Sequence, residues 1–147
     1  MKLVVDANVL FSFFKKDSTT RRIILDPDFK YNLELYAPEF VMEEIGRHKD
    51  EICSMFGIAT KDFDTMFMAI KLFVRIVPKN SFEAFLPKAT EALSPHIKDA
   101  PYVALSLWLY SEGHKIRLWS NEKRLRTLEE HGVSVISTSG LVEEFGL

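Results

Sequence analysis

Short apolar segments alternate with longer segments of helical pattern along this chain of 147 residues. An apolar segment without polar alternation is typical of a strand that is buried on both faces, as in parallel sheets. We predict strands at residues 3–6, 33–37, 116–119 and 133–136, while residues 74–77 fit either a strand or a loop. Because the connecting helices must cover both faces of such a sheet, the pattern predicts a three-layer α/β/α fold with a mostly parallel central sheet.

The segments between these strands carry signals of helix starts and ends. Pro38 suits the first turn of a helix, and Gly113 suits the position after a helix end. No repeat, low-complexity tract or linker divides the sequence, which predicts one domain over residues 1–147. We expect helices over residues 9–25 (with a break near residue 17), 38–56, 60–72, 81–95, 99–111 and 121–131, and from residue 139 onward.

Charge and composition exclude several classes of protein. The net charge of −2 differs from the strongly basic profile of proteins that bind nucleic acid through overall charge, so any RNA binding needs local basic groups. Residues 100–111 form the longest apolar run, which is shorter than the roughly 20 residues of a membrane-spanning helix, and no membrane association is expected. The single cysteine, Cys53, excludes an internal disulfide and is typical of a cytoplasmic protein.

Asp6 directly follows the first predicted strand. In parallel α/β sheets, ligands bind beyond the carboxyl ends of the strands, where the strand order reverses. A buried carboxylate is costly without a partner, so Asp6 is either the N-cap of the next helix or a ligand residue. Taken alone, the residue leaves both interpretations open.

Glu44 is predicted to face the protein interior. The apolar positions of the helix predicted at residues 38–56 form one stripe, made of Val41, Ile45, Ile52, Met55 and Phe56. At about 100° per residue, Glu44 falls inside this stripe and Glu43 falls on the opposite face. An inward carboxylate needs a cation, a strong donor or a raised pKa, unless it lies at the edge of the stripe and reaches solvent.

Two further acidic residues lie where helices begin. Asp99 precedes an apolar helix, and Glu122 follows the fourth strand in the sequence Ser120-Asn121-Glu122. Each can be explained as a helix N-terminal group. If all four acids meet at one edge of the sheet, however, their charges repel unless a cation bridges them. Oxygen ligands select Mg²⁺ or Mn²⁺, and such a site supports metal-assisted attack of water on phosphate.

Four segments resemble the PIN-domain family of nucleases, in the family's order and approximate spacing. They are residues 4–10 (VVDANVL), 38–45 (PEFVMEEI), 99–106 (DAPYVALS) and 118–125 (LWSNEKRL). The resemblance implies a PIN-like three-layer fold and Mg²⁺- or Mn²⁺-dependent endoribonuclease activity on RNA. The sequence departs from the family pattern at Glu122, where an aspartate is usual. This difference weakens the expectation of a second bound metal ion more than that of the first.

The resemblance also implies residue roles and partners. The residues expected to bind metal and to be catalytic are Asp6, Glu44, Asp99 and, as the fourth acid, Glu122. The residues expected to support them through hydrogen bonds are Asn8, Ser120 and the adjacent Asn121. Many relatives are toxins of toxin–antitoxin pairs, so a homodimer and an antitoxin protein are expected partners besides RNA.

Basic residues close to these acids in sequence are candidates for contacts with RNA phosphates. We predict Arg21 or Arg22, and Lys123 or Arg124, as the first of them. The alternative for each is an ordinary solvated helix face.

Two other functions stay open at this point. A haloacid-dehalogenase-like phosphohydrolase would need a second aspartate two positions after Asp6, where Asn8 stands. A catalytically inactive RNA-binding or scaffold protein on the same fold would be expected if Glu122 marked a decayed site. Retention of the other three acids argues against decay.

Overall fold

Five strands form one parallel sheet in this computed structural model, which describes residues 1–30 and 32–146, except for the side chains of residues 29 and 30. The strands are β1 (Lys2–Val5), β2 (Glu34–Pro38), β3 (Val74–Val77), β4 (Ile116–Trp119) and β5 (Ser134–Ile136). Their order across the sheet is β3-β2-β1-β4-β5. Residues 74–77, which fit a strand or a loop, are a strand because they pair with β2.

Helices connect the strands, and the architecture is the predicted three-layer α/β/α fold. The α-helices are α1 (Ala7–Phe13), α2 (Thr19–Leu25), α3 (Pro27–Lys30), α4 (Phe40–Arg47), α5 (Lys49–Phe56), α6 (Thr60–Phe73), α7 (Lys79–Phe82), α8 (Leu86–Leu93), α9 (Ala100–Ser111) and α10 (Thr138–Phe145). Short 3-10 helices span Glu83–Phe85 and Ile97–Asp99, and a longer one spans Lys123–His131.

The centre of the core is β1 with the apolar helix α9. Leu3, Val4 and Val5 are fully buried because β1 has a strand on each side, and α9 packs on β1, β2 and β4. The uniformly apolar sequences of β1 and α9 are thus explained, because both elements are surrounded by other parts of the protein. None of the helices in the described ranges is long and apolar enough to cross a membrane.

The register of β1 and β4 places two sequence-predicted residues next to each other. Val5 lies opposite Trp119, so Asp6 and Ser120 both follow the ends of adjacent strands. The Asp6 amide donates to the Trp119 carbonyl at 3.2 Å, which continues the pairing by one residue. β2 and β3 lie on one side of β1, whereas β4 and β5 lie on its other side. The strand order therefore reverses between β1 and β4, and α/β sheets bind ligands at such a point.

Several predicted helix bounds are wrong. Pro38 ends β2 instead of starting a helix, and the helix predicted at residues 38–56 is divided into α4 and α5 at His48. Beyond this break the predicted apolar stripe continues only in part, because Ile52 is buried but Met55 is 64% exposed. The helix predicted at residues 121–131 is a 3-10 helix over Lys123–His131, and the one predicted at residues 81–95 is interrupted by a 3-10 turn at Glu83–Phe85.

The predicted break near residue 17 is confirmed. Asp17 has a positive φ of 62°, and Ser18 caps α2 by accepting a hydrogen bond from the Arg21 amide.

Candidate active site

Asp6 is a helix cap and also a buried acid. Its Oδ1 accepts a hydrogen bond from the Val9 amide at 2.9 Å, and the residue is 3% exposed. Burial raises the pKa of Asp6 from 3.8 to about 6; hydrogen bonding with Ser120 and Val9 opposes this shift, and the charges of Asp99 and Glu122 add to it. The cap therefore coexists with an electrostatic environment that disfavours the ionised form.

Glu44 faces the interior from α4, as the apolar stripe predicts. It is 6% exposed, while Glu43 is exposed. Its Oε1 atom is buried without a hydrogen-bond partner among the described residues. Burial raises the pKa of Glu44, the positive charge of Lys98 counteracts this rise, and the negative charge of Asp99 reinforces it. A buried carboxylate oxygen without a donor is costly, which marks a place for a cation or another donor.

Tyr102 of α9 is a site residue that the sequence did not reveal. It is 1% exposed, and within the described part of the chain its hydroxyl has no well-formed hydrogen bond. The hydroxyl is nevertheless close enough to Glu44 to lower that residue's pKa. Burial raises the pKa of Tyr102, with further contributions from the negative charges of Glu44, Asp6 and Asp99. The hydroxyl therefore lies near the acids with its donor hydrogen available.

One signal in the sequence points to Tyr102. It follows Asp99 by three residues, and such a spacing places side chains on the same face of a helix.

Asp99 does not act as a helix cap through its side chain. It ends the 3-10 helix before α9, and the structure describes no capping hydrogen bond from its carboxylate. Instead, its Oδ2 accepts a hydrogen bond of 2.7 Å from the Arg124 guanidinium. The capping interpretation is therefore wrong for Asp99, and its carboxylate is directed toward the residues that follow β4.

Glu122 is held by three neighbours. Its Oε1 accepts from the Asn8 amide at 3.2 Å, and its own backbone amide donates to the Ser120 hydroxyl at 3.2 Å. The Nε atom of Arg124 lies 3.5 Å from its Oε2 atom. Arg124 thus bridges Glu122 and Asp99. The predicted supporting residues Asn8 and Ser120 are brought to this acid.

Other predicted residues lie away from this cluster or are bound elsewhere. Asn121 accepts a hydrogen bond of 2.8 Å from the Thr138 amide, so its side chain holds the start of α10. Arg21 donates to the Phe13 carbonyl at 2.8 Å and packs over the Phe13 ring. The side chains of Arg22 and Lys123 are exposed.

The acids are not arranged as a ready-made metal site. Across residues 1–30 and 32–146, no three His, Cys, Asp or Glu side chains are grouped so that they could hold an ion. The donor chemistry still fits a hard divalent cation, because every candidate ligand is an oxygen and Glu44 has an unpartnered buried oxygen. A cation that used Asp99 and Glu122 would have to replace Arg124 as their counter-ion.

The parallel sheet carries buried acids beyond the end of β1, and comparison with known protein families shows which family has this arrangement. The family model described as PIN domain matches residues 4–144, which is nearly the whole chain. The chain therefore belongs to the PIN domain family, and the resemblance seen in its four segments is confirmed. Proteins of this family are in general nucleases that depend on divalent metal ions. No curated protein matches the chain.

Proposed function

We propose that this protein is a Mg²⁺- or Mn²⁺-dependent endoribonuclease whose metal ligands are Asp6, Glu44, Asp99 and Glu122. The observation that carries the proposal is Glu44, whose Oε1 atom is buried without a partner beside the Tyr102 hydroxyl. A buried, unpaired carboxylate persists at a cost to stability, so it indicates a functional requirement. Family membership supports nuclease chemistry in general.

The repulsion among the acids supports a cation in particular. Burial is the main cause of the raised pKa of Asp6 and of Glu44, and the negative charge of Asp99 adds to the rise in both. A divalent cation relieves this repulsion and makes the ionised forms favourable. When bound, it would supply a more acidic water and neutralise charge on the phosphate.

The chain's own residues would hold and orient the ligands. The Val9 amide and Ser120 both hydrogen-bond with the Asp6 carboxylate and so orient it. Asn8 and Ser120 position Glu122, and the Tyr102 hydroxyl can donate to Glu44. Arg124 would be released from Asp99 on metal binding, and its guanidinium would then be free to contact a substrate phosphate.

The narrower expectations stay predictions. They are RNA as the substrate, a homodimer, a toxin role with an antitoxin partner and a cytoplasmic location. Membership in the PIN domain family leaves no reason to retain the haloacid-dehalogenase-like alternative.

The test is cleavage of a long mixed-sequence RNA by purified protein with Mn²⁺, with and without excess chelator, beside Asp99→Asn. The matched control is Asp62→Asn, since Asp62 is an exposed acid in the first turn of α6. We expect cleavage by the wild type and the control, and loss of cleavage with chelator or with Asp99→Asn.

Equal cleavage by Asp99→Asn would contradict the assigned site and indicate a contaminating nuclease. Absence of cleavage by a folded wild type that binds Mn²⁺ would contradict the nuclease and favour an inactive RNA-binding protein. Circular dichroism establishes that each variant is folded.

A further inference from the structure

A pocket of about 450 Å³ lies between α4, α7, α8 and the start of α9. Its apolar wall is made of Phe40, Phe82, Leu86 and Pro101. Phe40 belongs to the same helix as Glu44, and Pro101 follows Asp99 by two residues. The Phe40 ring also contacts the Tyr102 ring edge-on, with the centroids 6.5 Å apart. Phe40 thus links the pocket to Tyr102, and the pocket shares the elements α4 and α9 with the candidate site.

The rim of the pocket carries one carboxylate and one ammonium that are not engaged with each other. Glu43 and Lys79 are exposed, and neither side chain has an ion pair or hydrogen bond within the described ranges. Glu39, also on the rim, is already used, because its Oε1 accepts from the Lys79 backbone amide at 2.9 Å. The pocket thus combines an apolar wall, a free acceptor and a free cation.

We infer that this pocket binds a nucleobase of the substrate strand, and that Glu43 selects bases with an exocyclic amino group. This inference rests on the proposed nuclease function. The base of a nucleotide offers flat faces to Phe40 and Pro101 and an amino group to the Glu43 carboxylate, and the backbone phosphate of the nucleotide can pair with Lys79. An apolar peptide side chain, in contrast, would use neither charge. The volume lies within the roughly 300–1,000 Å³ of small-molecule pockets.

The chemistry of Glu43 predicts which bases are favoured. Adenine, cytosine and guanine each offer an amino donor to a carboxylate, whereas the edge of uracil has two carbonyl oxygens beside its one N–H and these repel a carboxylate. A hydrogen bond to a charged group is strong enough to give about tenfold discrimination. Glutamine at this position can donate to a uracil carbonyl as well as accept, so Glu43→Gln should remove the discrimination.

The experiment uses four fluorescein-labelled homopolymer octanucleotides of A, C, G and U, with Mn²⁺. Cleavage rates are measured for the wild type, Glu43→Gln, Lys79→Ala and the control Glu91→Gln, an exposed glutamate of α8. Affinities of the same oligonucleotides are measured by anisotropy in an Asp99→Asn background, where no cleavage is expected. Binding therefore tests the pocket even if no RNA is cut.

We expect the U octamer to be bound and cut about tenfold less well than the others by the wild type and by Glu91→Gln. Glu43→Gln should bring the four octamers within about twofold of one another, and Lys79→Ala should weaken all four alike. Base ratios that are the same in Glu43→Gln and the wild type would overturn the inference and favour a partner protein's apolar side chain as the occupant. Absence of cleavage of all four octamers by the wild type would instead count against the nuclease, while the anisotropy ratios still decide the role of Glu43.

Discussion

The guanidinium of Arg124 donates a 2.7 Å hydrogen bond to Asp99, and its Nε atom lies 3.5 Å from the Glu122 carboxylate. It therefore neutralises two of the four acids that we assign to the metal. Asp99 is mostly shielded, with its side chain 15% exposed, whereas that of Arg124 is 39% exposed and able to move into solvent. Metal binding and the Arg124 ion pairs are consequently in competition for the same carboxylates.

Replacing Arg124 by alanine should make Mn²⁺ bind more tightly. Partly exposed ion pairs contribute at most about 1 kcal/mol, so we expect an affinity gain of up to about fivefold. Isothermal titration calorimetry with Mn²⁺ measures this directly. Arg126→Ala is the control, since Arg126 is exposed and forms no ion pair in the described structure. Equal affinity in Arg124→Ala and the wild type would show that the arginine does not compete with the ion.

Asp6→Asn should stabilise the metal-free protein at neutral pH. The folded-state pKa of Asp6 is about 6, above the 3.8 of an unperturbed carboxyl. The protonated Asp6 carboxyl therefore contributes its full stabilisation of the folded state below pH 3.8, and this contribution is lost as the pH rises through about 6. That difference in pKa corresponds to at most about 3 kcal/mol. Asparagine keeps an acceptor for the Val9 amide and never ionises, so the variant should retain this stability at pH 7.5.

The measurement for Asp6→Asn is urea unfolding at pH 4.5, 5.5 and 7.5 with chelator. The advantage over the wild type should grow with pH across this range, while Asp62→Asn should show no such trend. With Mn²⁺ added, the wild type should gain stability and Asp6→Asn should gain less, because binding to the folded state alone is stabilising. A variant less stable than the wild type at pH 7.5 with chelator would contradict the destabilising role of the Asp6 charge.

The fold and two of the acids could be predicted because their signals lie within single segments. Apolar strands and the helix at residues 100–111 need only their own composition. Asp6 is placed by the end of β1, and Glu44 by the apolar stripe formed with Val41 and Ile45, both of which are fully buried. These positions depend on local periodicity and on the general rule for parallel sheets.

The rest depends on how separate segments meet. The pair of Arg124 and Asp99 spans 25 residues of sequence, and Arg124 lies in the 3-10 helix Lys123–His131. The break at His48 interrupts a stripe that would suit one long helix, so tertiary packing overrides local pattern there. The position of the Tyr102 hydroxyl near Glu44 results from the packing of α9 beside α4, which neither segment specifies alone.

Truncation of a buried leucine in α9 should lower the stability of the protein, whereas truncation of an exposed leucine in α6 should not. Leu105 is fully buried, so Leu105→Ala should lower the free energy of unfolding by about 2–5 kcal/mol. Leu72 is 81% exposed, and the same substitution there should change it by less than about 0.5 kcal/mol. Urea unfolding monitored by tryptophan fluorescence measures both. A similar loss in the two variants would indicate that Leu72 is covered in solution, for example by a second copy of the chain.

Tyr102→Phe should leave the metal-free protein as stable as the wild type or up to about 1 kcal/mol more stable, because it removes a buried hydroxyl without a well-formed hydrogen bond. Its effect on Mn²⁺ binding should depend on pH. The hydroxyl lowers the pKa of Glu44, so its loss raises that pKa further and disfavours the ionised ligand. Mn²⁺ affinity in Tyr102→Phe should therefore fall more at pH 6 than at pH 8.

Calorimetric titrations of Tyr102→Phe with Mn²⁺ at both pH values measure this difference. The control is Tyr110→Phe, because Tyr110 lies on the same helix and is 65% exposed. A loss of stability above about 1 kcal/mol with no change in Mn²⁺ binding would instead assign Tyr102 a purely structural role.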